Sequence, residues 1–244
     1  MAGFKNPLII ALDVDSIDQA LALTDRIGAY AGGFKVGMQL YYSAGQEIMR
    51  LLRERNLPVF ADLKLHDIPN TVAGASKALT RQGASILNVH ASGGKAMMQA
   101  AAAAVREESV KAGIMRPKVL AVTVLTSIDQ QVFLQEMGHT GAIREQVVNW
   151  ARLAQEAGLD GVVASPLEIS AIREACGADF IILTPGIRPA GSELNDQKRT
   201  LTPGEAMQQG ATYLVVGRPV TAAADPVAAV KEILQEIRES DVIK

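Results

Sequence analysis

The stretch PVFADLKLHDIPNT, residues 58–71, begins as a buried strand and then places Asp62, Lys64 and Asp67 within a few positions. Side chains of a strand alternate between its two faces. Asp62, Lys64 and His66 are therefore expected on one face, and Ala61, Leu63 and Leu65 on the other. The apolar face can pack against helices. The charged face needs a different destination, either a ligand site or a wet edge.

The runs on either side decide what kind of sheet holds this strand. LIIALDV (8–14), GGFKVGM (32–38), PVFADLKL (58–65), SILNVHA (85–91), KVLAVTVLT (118–126), GVVAS (161–165), FIILTPGI (180–187) and YLVVGRPV (213–220) all read as short strands. Helical patterns alternate with them, among them SIDQALALTDRIGAY, AGQEIMRLLRER, GGKAMMQAAAAAVREE and REQVVNWARLAQEAG. Ser16 is placed to cap the first. Thr202-Pro203-Gly204-Glu205 combines an N-cap, a first-turn proline and a carboxylate three residues after the cap, and Asp225-Pro226 repeats the device. Eight strands alternating with helices in 244 residues predict a single-domain (β/α)8 TIM barrel over 1–244. A doubly wound sheet is the competing architecture, but the first strand is not followed by G-x-G-x-x-G.

Composition narrows the class. Hydrophobic residues make up 48% of the chain, enough for a sizeable core, and a net charge of −2 gives no reason to expect nucleic acid as partner. The single cysteine, Cys176, rules out an intrachain disulfide and a cysteine metal cluster. The apolar run near the N-terminus is interrupted by Asp13 and Asp15, so no signal peptide is expected, and no run is long enough for a membrane span. A cytoplasmic protein is the expectation.

In a barrel, catalytic groups sit at the C-terminal ends of the strands, and most polar interruptions here fall there. Strand 1 ends in Asp13, strand 2 carries Lys35, and strand 3 carries Asp62 and Lys64. Strand 4 offers Asn88 and His90, and strand 5 ends in Thr126 and Ser127. Strand 7 leads into Arg188, and strand 8 ends in Gly217-Arg218. One buried Asp–Lys pair can be purely structural. Four charges alternating in sign, Lys35, Asp62, Lys64 and Asp67, favour a site, because desolvating so many ions costs several kcal/mol each by order of magnitude. Opposite charges favour each other's ionised forms, which makes Lys64 an ammonium acid rather than a Schiff-base amine. The arginines after strands 7 and 8 match the usual phosphate position of such barrels, where Gly217 lets the backbone approach an anion. Between them a polar loop, about 189–201, reads as a lid over the phosphate, with Gln197 its ligand-facing amide. His90 reads as a hydrogen-bonded core residue, His66 and His139 as loop residues, and Trp150 and the methionines as core.

DLKLHDIPNTV resembles the D-x-K-x-x-D-I-P-N-T signature of the orotidine 5′-phosphate decarboxylase family. LDVD, KVGMQL, VTVLTS, TPGIRP and VVGRPV resemble that family in the same order. The resemblance implies a homodimeric barrel needing neither metal nor organic cofactor, with orotidine 5′-phosphate as substrate and uridine 5′-phosphate as product. It implies Lys64 as proton donor to carbon 6 of the pyrimidine, Asp62 beside the departing carboxylate, and Lys35 bridging Asp62 and the ribose. Asp67 and Thr71 are implied to reach into the partner's site. Asp13 is implied to hold the ribose hydroxyls, Thr126 and Ser127 to meet the pyrimidine, and Pro185 to lie near the base. Arg188, Gln197, Gly217 and Arg218 are implied to take the phosphate. Two rivals stand beside this. Magnesium-dependent sugar-phosphate decarboxylases and hexulose phosphate synthases of the same superfamily share D-x-K-x-x-D but need an acidic metal ligand on strand 2, where this chain has Lys35. A non-catalytic nucleotide-binding barrel is expected to lose charges that this chain retains.

Overall fold

The computed structural model describes residues 3–189 and 201–241. Eight strands, β1 (Leu8–Ala11), β2 (Gly33–Gly37), β3 (Val59–Leu65), β4 (Ile86–His90), β5 (Lys118–Val122), β6 (Gly161–Val163), β7 (Ile181–Thr184) and β8 (Tyr213–Val216), pair in chain order. Every pairing is parallel, and β8 returns to β1 through Leu8↔Leu214 and Ile10↔Val216, so the sheet closes. A closed sheet has no unpaired edge, and the doubly wound alternative is excluded.

Alternation sorts the side chains into two layers. Ile9, Ala11, Phe60, Ile86, Leu120, Leu183 and Val215 fill the barrel interior. Ile10, Leu12, Phe34, Val36, Ala61, Leu87, Val89, Ile182 and Leu214 point outward and meet the helices. Full burial of one such aliphatic side chain is worth about 1.5–3 kcal/mol, so the outer layer fixes which face of each strand must turn inward. Phe4 and Tyr213, with ring centroids 5.1 Å apart, close the N-terminal end of the barrel. Polar groups are left to the other end.

The caps read from sequence are formed. Ser16 accepts from the Gln19 amide at the start of the helix Ile17–Ile27, and Thr202 and Glu205 make a reciprocal capping box ahead of Pro203–Gln208. Strand ends differ from expectation. β5 stops at Val122 rather than reaching Thr126, because its neighbour β6 has only the residues Gly161–Val163 to offer. Thr123 uses both its amide and its hydroxyl on the last of these, the Val163 carbonyl, each at 3.0 Å. Thr126 and Ser127 therefore lie in the loop beyond the strand. The methionines divide: Met49, Met97 and Met98 are core, while Met38, Met115 and Met137 are exposed. No helix among the described residues is long and apolar enough to cross a membrane.

Candidate active site

The charged residues meet at the C-terminal mouth. Registers Ala11↔Lys35 and Lys35↔Phe60 put Lys35 in the interior layer, and Gly37↔Asp62 puts Asp62 in the layer above. From there Lys35 Nζ reaches Asp13 Oδ1 at 2.9 Å and Asp62 Oδ2 at 3.5 Å. Lys64 Nζ reaches Asp62 Oδ1 at 2.7 Å. The result is a row, Asp13–Lys35–Asp62–Lys64, alternating in sign. Gly37 makes room for it, since a Cβ there would stand 2.8 Å from Lys35 Nζ and 3.3 Å from Asp13 Oδ1. Burial pushes the Asp62 carboxyl upward, but Lys35, Lys64 and the amide of Asn88 outweigh it and hold the group below the usual carboxylate range.

β3 is not regular where it carries these charges. Ala61 pairs with Leu87 and Leu65 with Val89, so four residues of advance on β3 match two on β4. Within this bulge Lys64 has φ +50°, a left-handed conformation costing a side-chain-bearing residue roughly 1–2 kcal/mol. Because the slip is by an even number, parity survives: Asp62 and Lys64 meet in the site while Leu63 and Leu65 pack against the outer core. Alternation does not extend to His66. That residue lies past the strand, exposed, with its ring stacked on His90 at 5.2 Å between centroids. His90 is only half-buried, with Nδ1 2.6 Å from Ser92 Oγ and its ring edge-on to Trp150. Burial, His66 and Lys64 lower its pKa, in that order.

Beside the charged row lies a cavity of about 240 Å³. Lys35, Asp62, Lys64, Thr126, Ser127 and Pro185 line it, six of the residues singled out from sequence. Phe60, Val122, Val163, Leu183 and Val215 form its apolar walls. An apolar slot with a few convergent polar groups suits a small planar ligand, and its low polarity strengthens the field of the charges at its rim. A larger groove of about 370 Å³ lies outside, lined by Gln46, Arg50, Arg53 and Arg81. Two of its arginines are already engaged, Arg50 by Glu47 and Glu54 and Arg81 by Glu108.

Arg188 and Arg218 follow β7 and β8 and do not line the slot. Arg188 is buried, donates from Nη1 to the Ile187 carbonyl at 3.0 Å, and is anchored by its amide to Leu201 O. Burial and the nearby Arg218 both push its guanidinium down. Two like charges are thus brought together at adjacent strand ends, with Gly217 and Asp13 close by. Gln197 and most of the expected lid, 190–200, lie outside the described residues.

Asp67 and Thr71 do not join the cluster of their own chain. Both are exposed, and Asp67 Oδ1 accepts from the Ile68 amide at 2.6 Å. Among the described residues no ion pair links Asp67 to Lys35 or Lys64. Asn88 stands out in the opposite sense. It is fully buried, its Nδ2 donates to Asp62 Oδ1 at 2.8 Å, and its Oδ1 accepts from the Lys64 amide at 2.8 Å. The sequence signal was an amide inside the apolar strand ILNVH, which a buried polar group occupies only with partners. Ser165, buried at the slot wall, carried no such signal.

Comparison with known proteins agrees with this geometry. The family described as "Orotidine 5'-phosphate decarboxylase / HUMPS family" matches residues 6–233. An orotidine 5′-phosphate decarboxylase of Moorella thermoacetica is 58% identical, over 96% of this chain and 92% of that protein. One of Syntrophomonas wolfei is 51% identical, over 95% and 98% respectively. The crystal structure of orotidine 5′-phosphate decarboxylase from Lactobacillus acidophilus superimposes with a TM-score of 0.85 at 40% identity, covering 96% of this chain and 99% of that one. With the barrel, the charged row and these likenesses together, the chain belongs to the orotidine 5′-phosphate decarboxylase / HUMPS family.

Proposed function

We infer that this protein decarboxylates orotidine 5′-phosphate to uridine 5′-phosphate and carbon dioxide, the last step of de novo pyrimidine nucleotide synthesis. The observation that carries this is Lys64 Nζ held 2.7 Å from the largely buried Asp62 carboxylate at the rim of an apolar slot. Heterolysis of the bond between carbon 6 and its carboxylate leaves an electron pair in the plane of the ring, where the π system cannot delocalise it. The Lys64 ammonium is the cation nearest that pair. It stabilises the developing carbanion and passes a proton to carbon 6 as carbon dioxide leaves; the amine then regains a proton from solvent. Barriers of this kind require stabilisation on the order of 20 kcal/mol, and a preorganised charge in a dry site is the largest single contribution available.

The other side chains divide the remaining work. Asp62 faces the departing carboxylate and fixes Lys64. Lys35 spans Asp62 and the ribose, and Asp13 takes the ribose hydroxyls. Thr126 and Ser127 meet the pyrimidine edge, with Pro185 against the base. Arg188, Arg218, the Gly217 backbone and Gln197 hold the phosphate, and the loop about 189–201 closes over it. Phosphate contacts remote from carbon 6 supply binding energy that closure can use. Asp67 and Thr71 act in the site of a partner subunit of a homodimer. Their exposure supports this, as does Ile68 beside them, an isoleucine 67% exposed. The chemistry uses no cofactor, and a cytoplasmic setting suits both the substrate and the lone Cys176. The magnesium-dependent rivals fit less well, since the Lys35 ammonium stands where they require an acidic ligand.

The test is the ultraviolet absorbance of orotidine 5′-phosphate incubated with purified protein and EDTA. Decline of the signal, with uridine 5′-phosphate and carbon dioxide formed one for one, is expected. An unchanged spectrum with folded protein, or activity restored only by magnesium, overturns the assignment.

A further inference from the structure

Lys64 occupies a place that a regular strand could not give it. Between the pairs Ala61↔Leu87 and Leu65↔Val89 the backbone of β3 leaves the ladder, and Lys64 turns through φ +50°. A residue displaced in this way loses the strand partner of its amide, and a buried amide without a partner is rare. Here the amide is taken by a side chain, Asn88 Oδ1, at 2.8 Å. The other end of the same carboxamide donates to Asp62 Oδ1 at 2.8 Å, and that oxygen also receives Lys64 Nζ at 2.7 Å. One fully buried group therefore holds both the backbone that carries the lysine and the carboxylate that aims it.

We propose that Asn88 is a positioning residue for the decarboxylation, locking the bulge that presents Lys64 and donating to the same Asp62 oxygen that receives the lysine. The proposal rests on Lys64 and Asp62 being the reacting pair. The double role needs an acceptor and a donor at opposite ends of a short, planar side chain. Aspartate in its place keeps the acceptor and turns the donor into a like charge; alanine removes both. The charged groups around Asp62 are Lys35 from β2 and Lys64 from β3, with Asp13 beyond Lys35 and His90 at the end of β4. None of them replaces a neutral donor on the β4 side.

The experiment compares Asn88→Ala and Asn88→Asp with the parent in kcat, KM, the pH profile of kcat/KM and the Kd of uridine 5′-phosphate. The product lacks the carboxylate and is gripped through ribose and phosphate, so its affinity reports an intact site. Expected are a kcat lower by roughly ten- to a hundredfold in the alanine variant, and product Kd within about threefold of the parent. The acid limb of kcat/KM moves to higher pH in the alanine variant, and further in the aspartate variant, because losing a donor to the carboxylate raises the pH at which it ionises. Parent-like kcat and acid limb in both variants overturn the proposal. So does a fall in kcat matched by an equal fall in product affinity, which marks a merely structural residue. The near-isosteric aspartate variant keeps the test decisive if the alanine variant does not fold. Lys64→Ala measured alongside separates two failures: full activity there removes the reacting-pair assignment, whereas an inactive Lys64→Ala with parent-like Asn88 variants removes only the role of Asn88.

Discussion

Gly37→Ala is a steric probe that adds one methyl group beside the charged row and changes little else. Gly37 has φ −89° and ψ 179°, an extended conformation open to any residue, so alanine brings no backbone strain. Its Cβ would stand 2.8 Å from Lys35 Nζ and 3.3 Å from Asp13 Oδ1, with no backbone atom near it. Carbon and nitrogen settle at about 3.4 Å or more, so the ammonium must retreat by roughly half an ångström or more. Lys35 joins Asp13 at 2.9 Å and Asp62 at 3.5 Å, and both contacts change with that movement. Displacements near 1 Å cost reactions that depend on alignment up to about a hundredfold. The expected fall in kcat/KM for orotidine 5′-phosphate is about ten- to a hundredfold, or about 1.4–2.7 kcal/mol of transition-state stabilisation. The assay is the decline of substrate absorbance, with thermal unfolding run in parallel. A Tm near the parent's and kcat/KM within twofold would refute the claim that the position of Lys35 is part of the machinery.

Other expectations concern different parts of the molecule. Arg218→Ala should raise KM for orotidine 5′-phosphate by roughly ten- to a hundredfold, the worth of a charge-assisted hydrogen bond. It should leave turnover of orotidine, which lacks the phosphate, unchanged; equal losses on both substrates would contradict the phosphate role. At the N-terminal end of the barrel, Asp160 accepts from Arg116 at 2.8 Å and from the Val119 amide at 2.9 Å. Burial pushes its carboxyl up, but Arg116, the Val119 amide and Lys118 leave it below the usual range. A depressed folded-state pKa gives stability that is present above the unfolded value, about 3.9, and lost as pH falls through the folded one. Urea titrations should therefore show Asp160→Asn less stable by about 1–3 kcal/mol at pH 7, with the gap closing below roughly pH 4 and kcat unaffected. For the dimer, Lys64→Ala and Asp67→Ala proteins, each nearly inactive, should regain about a quarter of parental activity when mixed and allowed to exchange subunits. Each mixed dimer then holds one site with both residues intact. No recovery, despite exchange shown by mass spectrometry, would place Asp67 in its own chain's site.

Periodicity and punctuation were enough to read the barrel, because each strand must hide one face among helices and the other inside a closed sheet. The runs 8–14 and 213–220 overshot β1 and β8, since apolar residues continue past the last ladder bond into the mouth. Lys35, Asp62, Lys64, Thr126, Ser127 and Pro185 were legible as polar or special residues at strand ends, and they line one slot. What alternation could not reveal is the left-handed turn at Lys64, because no glycine or asparagine announces it there. Its cause lies on β4, 24 residues away, and spatial neighbours are not written in local pattern. Asp67 illustrates the complementary gap. HDIPNT leads from β3 into the helix Pro69–Arg81, with Pro69 in its first turn, and nothing in it identifies an interface. Whether such a carboxylate serves its own subunit or another leaves no mark in the local pattern.

The measurement that bears most directly on the central claim is the single-turnover rate of orotidine 5′-phosphate decarboxylation by Lys64→Ala, with uridine 5′-phosphate affinity as the control for an intact site. If the Lys64 ammonium stabilises and protonates carbon 6, the rate falls by at least about a thousandfold while product Kd stays within a fewfold of the parent. A variant that binds product normally and decarboxylates at the parental rate would contradict the account.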